Sequence, residues 1–261
     1  MSSLVPILNK GLLYANNCQV SIDTATSVII ASGQLRDSTN VFDITVSNEL
    51  TVRTDYVGAG GLDTGVIGID TFYALYVISD PTNMLQPIGL LSLSSSNPVM
   101  PSVRGVTYGA YRLIGYVKTD ASGDLLKCTI IGNGNERTHY WDLPISALSG
   151  GASSTFADIT LEDSVPSIMA ISDSSCVAAS VQCSVSFTSA VAGNYAGFIS
   201  GASASTIGTW LLSGSVAAVP QIAQMDVCAD YTIAEMFVVK YKNSAALCSS
   251  SVDITGFKYF I

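Results

Sequence analysis

At 261 residues the chain can form one large all-β domain or two ordinary ones, with a buried core in either case. Apolar residues make up 48% and charged residues only 12%, about half the usual share, which excludes a disordered chain. A formal net charge of -9, with eleven basic residues scattered from Lys10 to Lys258, argues against a nucleic-acid partner and against anionic lipid.

The opening "MSSLVPILNKGLLYANN" shows neither a basic leader nor a cleavable apolar core. Apolar runs fall short of the roughly 20 residues a membrane helix needs, so synthesis in a cytoplasm without membrane insertion is expected. Short turns are expected at 4–13. Strands are predicted at 41–46 ("VFDITV"), 49–57 ("ELTVRTDYV") and 71–79 ("TFYALYVIS"), the last apolar on both faces and therefore central. Two more follow at 109–119 ("GAYRLIGYVKT") and 124–131 ("DLLKCTII").

The small-residue stretch "SALSGGASST" (146–155) reads as a flexible link between domains 1–145 and 156–261. Beyond it, "CVAASVQCSVSFT" has the cleanest period of two. Val181, Cys183, Val185 and Phe187 fall on one face, and Gln182, Ser184, Ser186 and Thr188 on the other. Strands at 209–216, 234–242 and 252–261 complete the list, with a short turn expected at 222–227. No long capped helix is predicted. The fold class is all-β, with two antiparallel β-sandwich or jelly-roll-like domains in tandem.

The six cysteines form no CxxC pair and no Cys/His metal spacing. Cys176 and Cys183 point to opposite faces of one run, and most of the others lie in apolar stretches. Free, buried thiols are expected.

Within the first domain, a Gly-Leu-Asp-x-Gly turn (Gly61 to Gly65) precedes an aromatic strand (Phe72 to Ile78) and a Ser/Pro loop (Ser92 to Pro101). A Tyr-Arg-x-Ile-Gly strand (Tyr111 to Gly115) then leads to Thr-Asp-x-Ser-Gly (Thr119 to Gly123), and a closing segment runs from Arg137 to Pro144. This order resembles a module of bacteriophage tail and fibre proteins, over roughly residues 58–144. The resemblance implies a virion structural component, whether a short fibre or adhesion subunit or a head decoration. It implies a place on the virion surface and contacts with other virion proteins.

Candidate chemistry is sparse. "DASGD" puts oxygens at Asp120, Ser122 and Asp124, but Leu125, Leu126 and Lys127 follow where a calcium loop needs more ligands, so a hairpin turn is the reading. His139 is the only histidine, and no Gly-x-Ser-x-Gly elbow accompanies it. "GAGGLDTG" lacks the lysine of a phosphate loop. Acids such as Asp55, Asp80, Asp120, Asp163 and Asp230 lie at predicted strand ends. No catalytic, cofactor or metal residue is assigned, and the chain reads as non-enzymatic. Tyr108, Tyr111, Tyr116, Tyr140 and Trp141 are candidate interface or glycan-contact aromatics. The expected partners are other copies of the chain, as a trimer. A carbohydrate-binding module for host-surface glycan is the alternative.

Overall fold

The computed structural model describes residues 15–80, 82, 85–161, 180–200, 209–214, 216–228 and 238–260. Strands and turns make up these residues, and no helix among them is long and apolar enough to cross a membrane. Among the described residues the strand pairings with a given register, such as Ala110–Lys118 with Phe72–Asp80 and Ser180–Ser189 with Gln221–Cys228, are antiparallel, and the fold is all-β. It divides into two compact units. The first runs up to Leu126 and includes Ile130–Arg137; the second holds Lys127–Thr129 and Thr138–Phe260.

In the first unit, Phe72–Asp80 lies between Ala110–Lys118 and Leu85–Ser92, the central place its two apolar faces demand. A second trio comprises Val20–Thr24, Ser27–Ile30 and Leu50–Arg53; a third comprises Ala15–Asn17, Gly33–Arg36 and Asp43–Val46. The layers touch at Gly89, where an added Cβ would lie 2.1 Å from Val52 Cγ2 and 2.9 Å from Ile30 Cδ1. Ile30, Leu35, Val52, Leu75, Val77 and Leu91 are fully buried. Burial of each stabilises by roughly 1.5–3 kcal/mol.

In the second unit the alternating strand spans Ser180–Ser189, between Gln221–Cys228 and Cys248–Phe260. Val181, Cys183, Val185 and Phe187 are fully buried, and the Ser, Gln and Thr between them are half-buried. A four-stranded sheet of Ala157–Thr160, Val238–Asn243, Tyr195–Ser200 and Thr209–Ser213 covers that apolar face. The two sheets are tied by the buried Asn243. Its amide donates to the Gly151 and Cys248 carbonyls at 2.8 and 3.3 Å, and its oxygen accepts from Ser250 Oγ at 2.6 Å.

Cys248–Phe260 changes inward face midway. Gln182 pairs with Gly256 and Cys183 with Ile254, leaving Thr255 as the extra residue of a β-bulge. Even-numbered residues point inward before the bulge (Val252, Ile254) and odd-numbered ones after it (Phe257, Tyr259). At Gly256 an added Cβ would sit 2.1 Å from the His139 carbonyl oxygen. Only glycine lets the backbones approach so closely.

Several sequence expectations change. Residues 222–227 are not a turn but the middle of strand Gln221–Cys228. Residues 146–151, read as a link, are the end of the long strand Glu136–Gly151. The strand expected at 124–131 begins only at Cys128, because Asp120–Asp124 is a wide turn and Leu125 is a single bridge to Thr119. Residues 4–13, 176–179 and 234–237 lie outside the described residues. Cys18, Cys128, Cys183 and Cys248 are free and buried; Cys176 and the Cys228 side chain lie outside the described set.

Gly256→Ala should destabilise the fold by about 1–3 kcal/mol through that backbone clash, with the chemical denaturation midpoint as the readout. An unchanged midpoint would mean that the two strands are not in contact there.

Candidate functional site

The module motifs of the first unit converge on one loop. Ser92 to Pro101 leaves the end of strand Leu85–Ser92, and Asp63 from the Gly-Leu-Asp-x-Gly turn reaches across to hold it. The Asp63 carboxylate accepts from Ser92 Oγ at 2.6 Å and from the Val99 N–H at 3.0 Å, while the Asp63 N–H donates to the Leu91 carbonyl at 2.7 Å. From the neighbouring strands, Tyr76 donates to the Ser94 carbonyl at 2.9 Å and Tyr111 to the Ser96 carbonyl at 3.2 Å. Their rings meet edge to face, 5.8 Å apart. Burial pushes the Tyr76 phenol well above its ordinary value, so it remains a hydrogen-bond donor. The loop is thus clamped on two sides, with Leu93 and Val99 exposed on it.

The other polar motif residues brace backbone in the same way. Asp120 accepts from the Ser122 and Asp124 N–H groups at 2.8 and 3.0 Å, and Gly123 has φ +86°. That carboxylate shapes a turn, as its sequence predicts. Thr119 Oγ1 donates to the Gly68 carbonyl at 2.7 Å and accepts from the Thr71 N–H at 3.0 Å. The fully buried Arg137 guanidinium donates to the carbonyls of Ala15, Asn17 and Gly132 at 2.7–2.9 Å.

Asp37, 1% exposed, accepts from the Val41 and Phe42 N–H groups at 2.8 and 2.7 Å and from both Thr39 donors. Burial pulls its carboxyl up, but the bonds from Thr39, Phe42 and Val41 outweigh this and hold it below the usual carboxylate value. Arg112 is pushed down to about 10, by burial first and then by Arg137, with Asp37 opposing.

In the second unit His139 is fully buried between aromatic rings. Its ring centroid lies 4.1 Å from that of Trp141 and 4.4 Å from the stacked Phe257. The histidine belongs to the core there. Among the described residues no group of three or more His, Cys, Asp or Glu is placed to hold a metal ion.

The five aromatics singled out from sequence separate by burial. Tyr108, Tyr116 and Trp141 are buried, at 5–7% exposure, and contribute to packing. Tyr111 is half-buried in the loop clamp. Tyr140 is exposed at 40% and borders a shallow groove with Gln182, Gln224, Asp226 and Thr255, floored by Met225. The five do not form one platform. The sequence does not single out Asp63, Asp37 or Asn243: the Asp63 clamp and the Asn243–Gly151 bond join residues far apart in the chain, whereas Asp37 bonds only within its own turn, to Thr39, Val41 and Phe42.

No family model matches the chain, and no curated protein matches it in sequence. Among solved structures, the coat protein of Tobacco streak virus overlaps 48% of this chain and 83% of its own, at 12% identity and TM-score 0.27. A Bacillus thuringiensis Cry1Da tryptic core variant overlaps 93% of this chain at 8% identity and TM-score 0.21. The mosquito-larvicidal Cry4Aa toxin of Bacillus thuringiensis overlaps 96% at 8% identity and TM-score 0.23. The chain spans about half the length of each of these two toxins, at 51% and 52%. Superpositions this loose establish no common fold and say nothing of what the chain does.

Two outcomes follow from the loop clamp and the buried thiols. Asp63→Ala should cost about 1–3 kcal/mol by leaving the Ser92 and Val99 donors without their acceptor. Hydrogen exchange and limited proteolysis should speed up selectively at 92–101, and uniform protection there would refute the clamp. The thiols give a pH dependence. Burial pushes Cys18 up to about 11 and Cys128 and Cys183 up to about 12, whereas unfolded thiols ionise near 9. The unfolded chain therefore loses protons first. Stability should be intact below pH 9 and decline as pH rises toward 11–12. Native protein should react slowly with a thiol reagent at pH 8, and fast reaction of these cysteines would contradict their burial.

Proposed function

We propose that the chain is a non-enzymatic structural component of a phage-type virion, a short-fibre or decoration subunit that works by self-assembly and attachment to the particle. One observation carries this reading. The polar residues of the phage-like module (Asp63, Thr119, Asp120 and Arg137) are engaged in bracing their own loops rather than converging on a cavity. A module whose polar groups rigidify loops presents a preorganised surface, which suits assembly. Composition supports the same reading. Lys and Glu are depleted at protein interfaces, and this chain has few charged residues of any kind to place there.

The alternative, a glycan-binding module, is favoured by the groove beside Tyr140. An exposed aromatic ring among Gln182, Gln224, Asp226 and Thr255 combines a stacking face with hydrogen-bonding side chains.

Sedimentation velocity over a concentration series should show the full chain forming a discrete multimer, with the trimer as the expected species. A chain that stays monomeric at every concentration would overturn self-assembly. If that monomer bound glycans on an array, and Tyr140→Ala with Gln224→Ala abolished the binding, the glycan reading would replace it.

A further inference from the structure

One end of the second unit departs from the ordinary character of β-sandwich loops. Three connections gather there: 190–194, the described residues 214 and 216–220 of the second, and 244–247. Hydrogen bonds hold them together. The Ala218 N–H donates to the Ser189 carbonyl at 2.7 Å, and the Gly214 N–H to the Asn194 carbonyl at 2.9 Å. Ser244 exchanges two bonds with Tyr195, its N–H donating to the Tyr195 carbonyl at 2.8 Å and its Oγ accepting from the Tyr195 N–H at 2.9 Å. Ser189 also pairs directly with Cys248 at the start of the neighbouring strand.

Connections exposed to water normally carry polar turn residues. These read "AVAGN", "GSVAAVP" and "SAAL", with no charged residue among them. Their exposed large side chains are apolar: Val191 at 50%, Val216 at 57%, Val219 at 45% and Leu247 at 70%, with Tyr195 at 43% beside them. The patch continues onto strand Gln221–Cys228 through Ile222, 67% exposed. Isolated exposed hydrophobics need no explanation, but several on three linked loops mark a contact surface.

We infer that this loop end is the surface through which copies of the chain meet, an inference that rests on the self-assembly reading above. Charge selects the occupant. The chain has 20 acidic residues against 11 basic ones, so two copies repel wherever their charged faces approach. A basic partner would choose the acidic faces. A second copy, equally acidic, is accommodated where charge is absent, and the loop end meets that condition. The bonds between the loops preorganise the patch, so little ordering entropy is lost on contact. Loop tips bury less area than a stable two-chain interface needs, so the arrangement expected is a closed ring with several copies meeting about one axis.

The test uses the full chain carrying Val219→Cys, with Val66→Cys in the first unit (86% exposed) as the control. Under mild oxidation Val219→Cys should give a disulfide-linked dimer on a non-reducing gel, and Val66→Cys should not. In sedimentation, Val219→Asp with Leu247→Asp should weaken association at least tenfold while leaving the melting temperature unchanged. Leu247→Ser serves the same purpose should the double variant fold poorly.

If the native chain associates but Val219→Cys does not cross-link and the aspartates leave association intact, the contact surface is refuted and self-assembly stands. If the native chain is monomeric throughout, self-assembly itself fails. Binding of a monomer to neutral phosphatidylcholine vesicles, abolished by the aspartates, would reassign the loop end to lipid.

Discussion

Backbone that leaves a β-ladder inside a folded unit must find hydrogen-bond partners elsewhere, and in this chain polar side chains supply them. Asp63 closes the 92–101 loop, Asp37 closes the turn after Gly33–Arg36, Asp120 shapes its hairpin and Arg137 collects three carbonyls. In the second unit Asn243 links the facing sheets through Gly151, Cys248 and Ser250. Strands supply the apolar layers, but these residues determine where each connection lies. An unsatisfied group of this kind costs about 1–3 kcal/mol, a large fraction of a domain's net stability.

The same constraint bears on function. Asp37, Asp63 and Asp120 each accept two to four hydrogen bonds from nearby backbone and hydroxyl groups, so their oxygens are engaged in holding loops. His139, the chain's only histidine, sits in a ring cluster with Trp141 and Phe257. The exposed features are of another kind: a clamped loop carrying Leu93 and Val99, a groove beside Tyr140, and a charge-free loop end. Under the proposed function these would serve as contact surfaces on supports held by the hydrogen bonds described above.

Legibility in the sequence followed side-chain periodicity and stopped where periodicity does. Ser180–Ser189 was readable because apolar and polar residues alternate throughout, and the central place of Phe72–Asp80 because both its faces are apolar. Cys248–Phe260 was half hidden: its first residues, "CSSS", resemble a turn, and the bulge at Thr255 reverses the alternation. The end of Glu136–Gly151 looks like a link in sequence because Ser146, Ala147 and Gly150 offer little to pack, although backbone pairing does not require large side chains. The Asp63 clamp joins residues 29 and 36 positions apart, a pairing no local pattern encodes. Burial of Tyr108, Tyr116 and Trp141 is likewise set by tertiary packing, whereas residue type alone made them candidates for contact.

The central claim is that the chain acts by occupying a repeated place in a virion, and the most direct measurement is a density map of the intact particle. The account predicts many symmetric copies, each fitting both β units, with the loops at 190–194, 214–220 and 244–247 facing another copy. Absence of the chain from particle density, or its presence only as isolated copies with those loops bare, would contradict it.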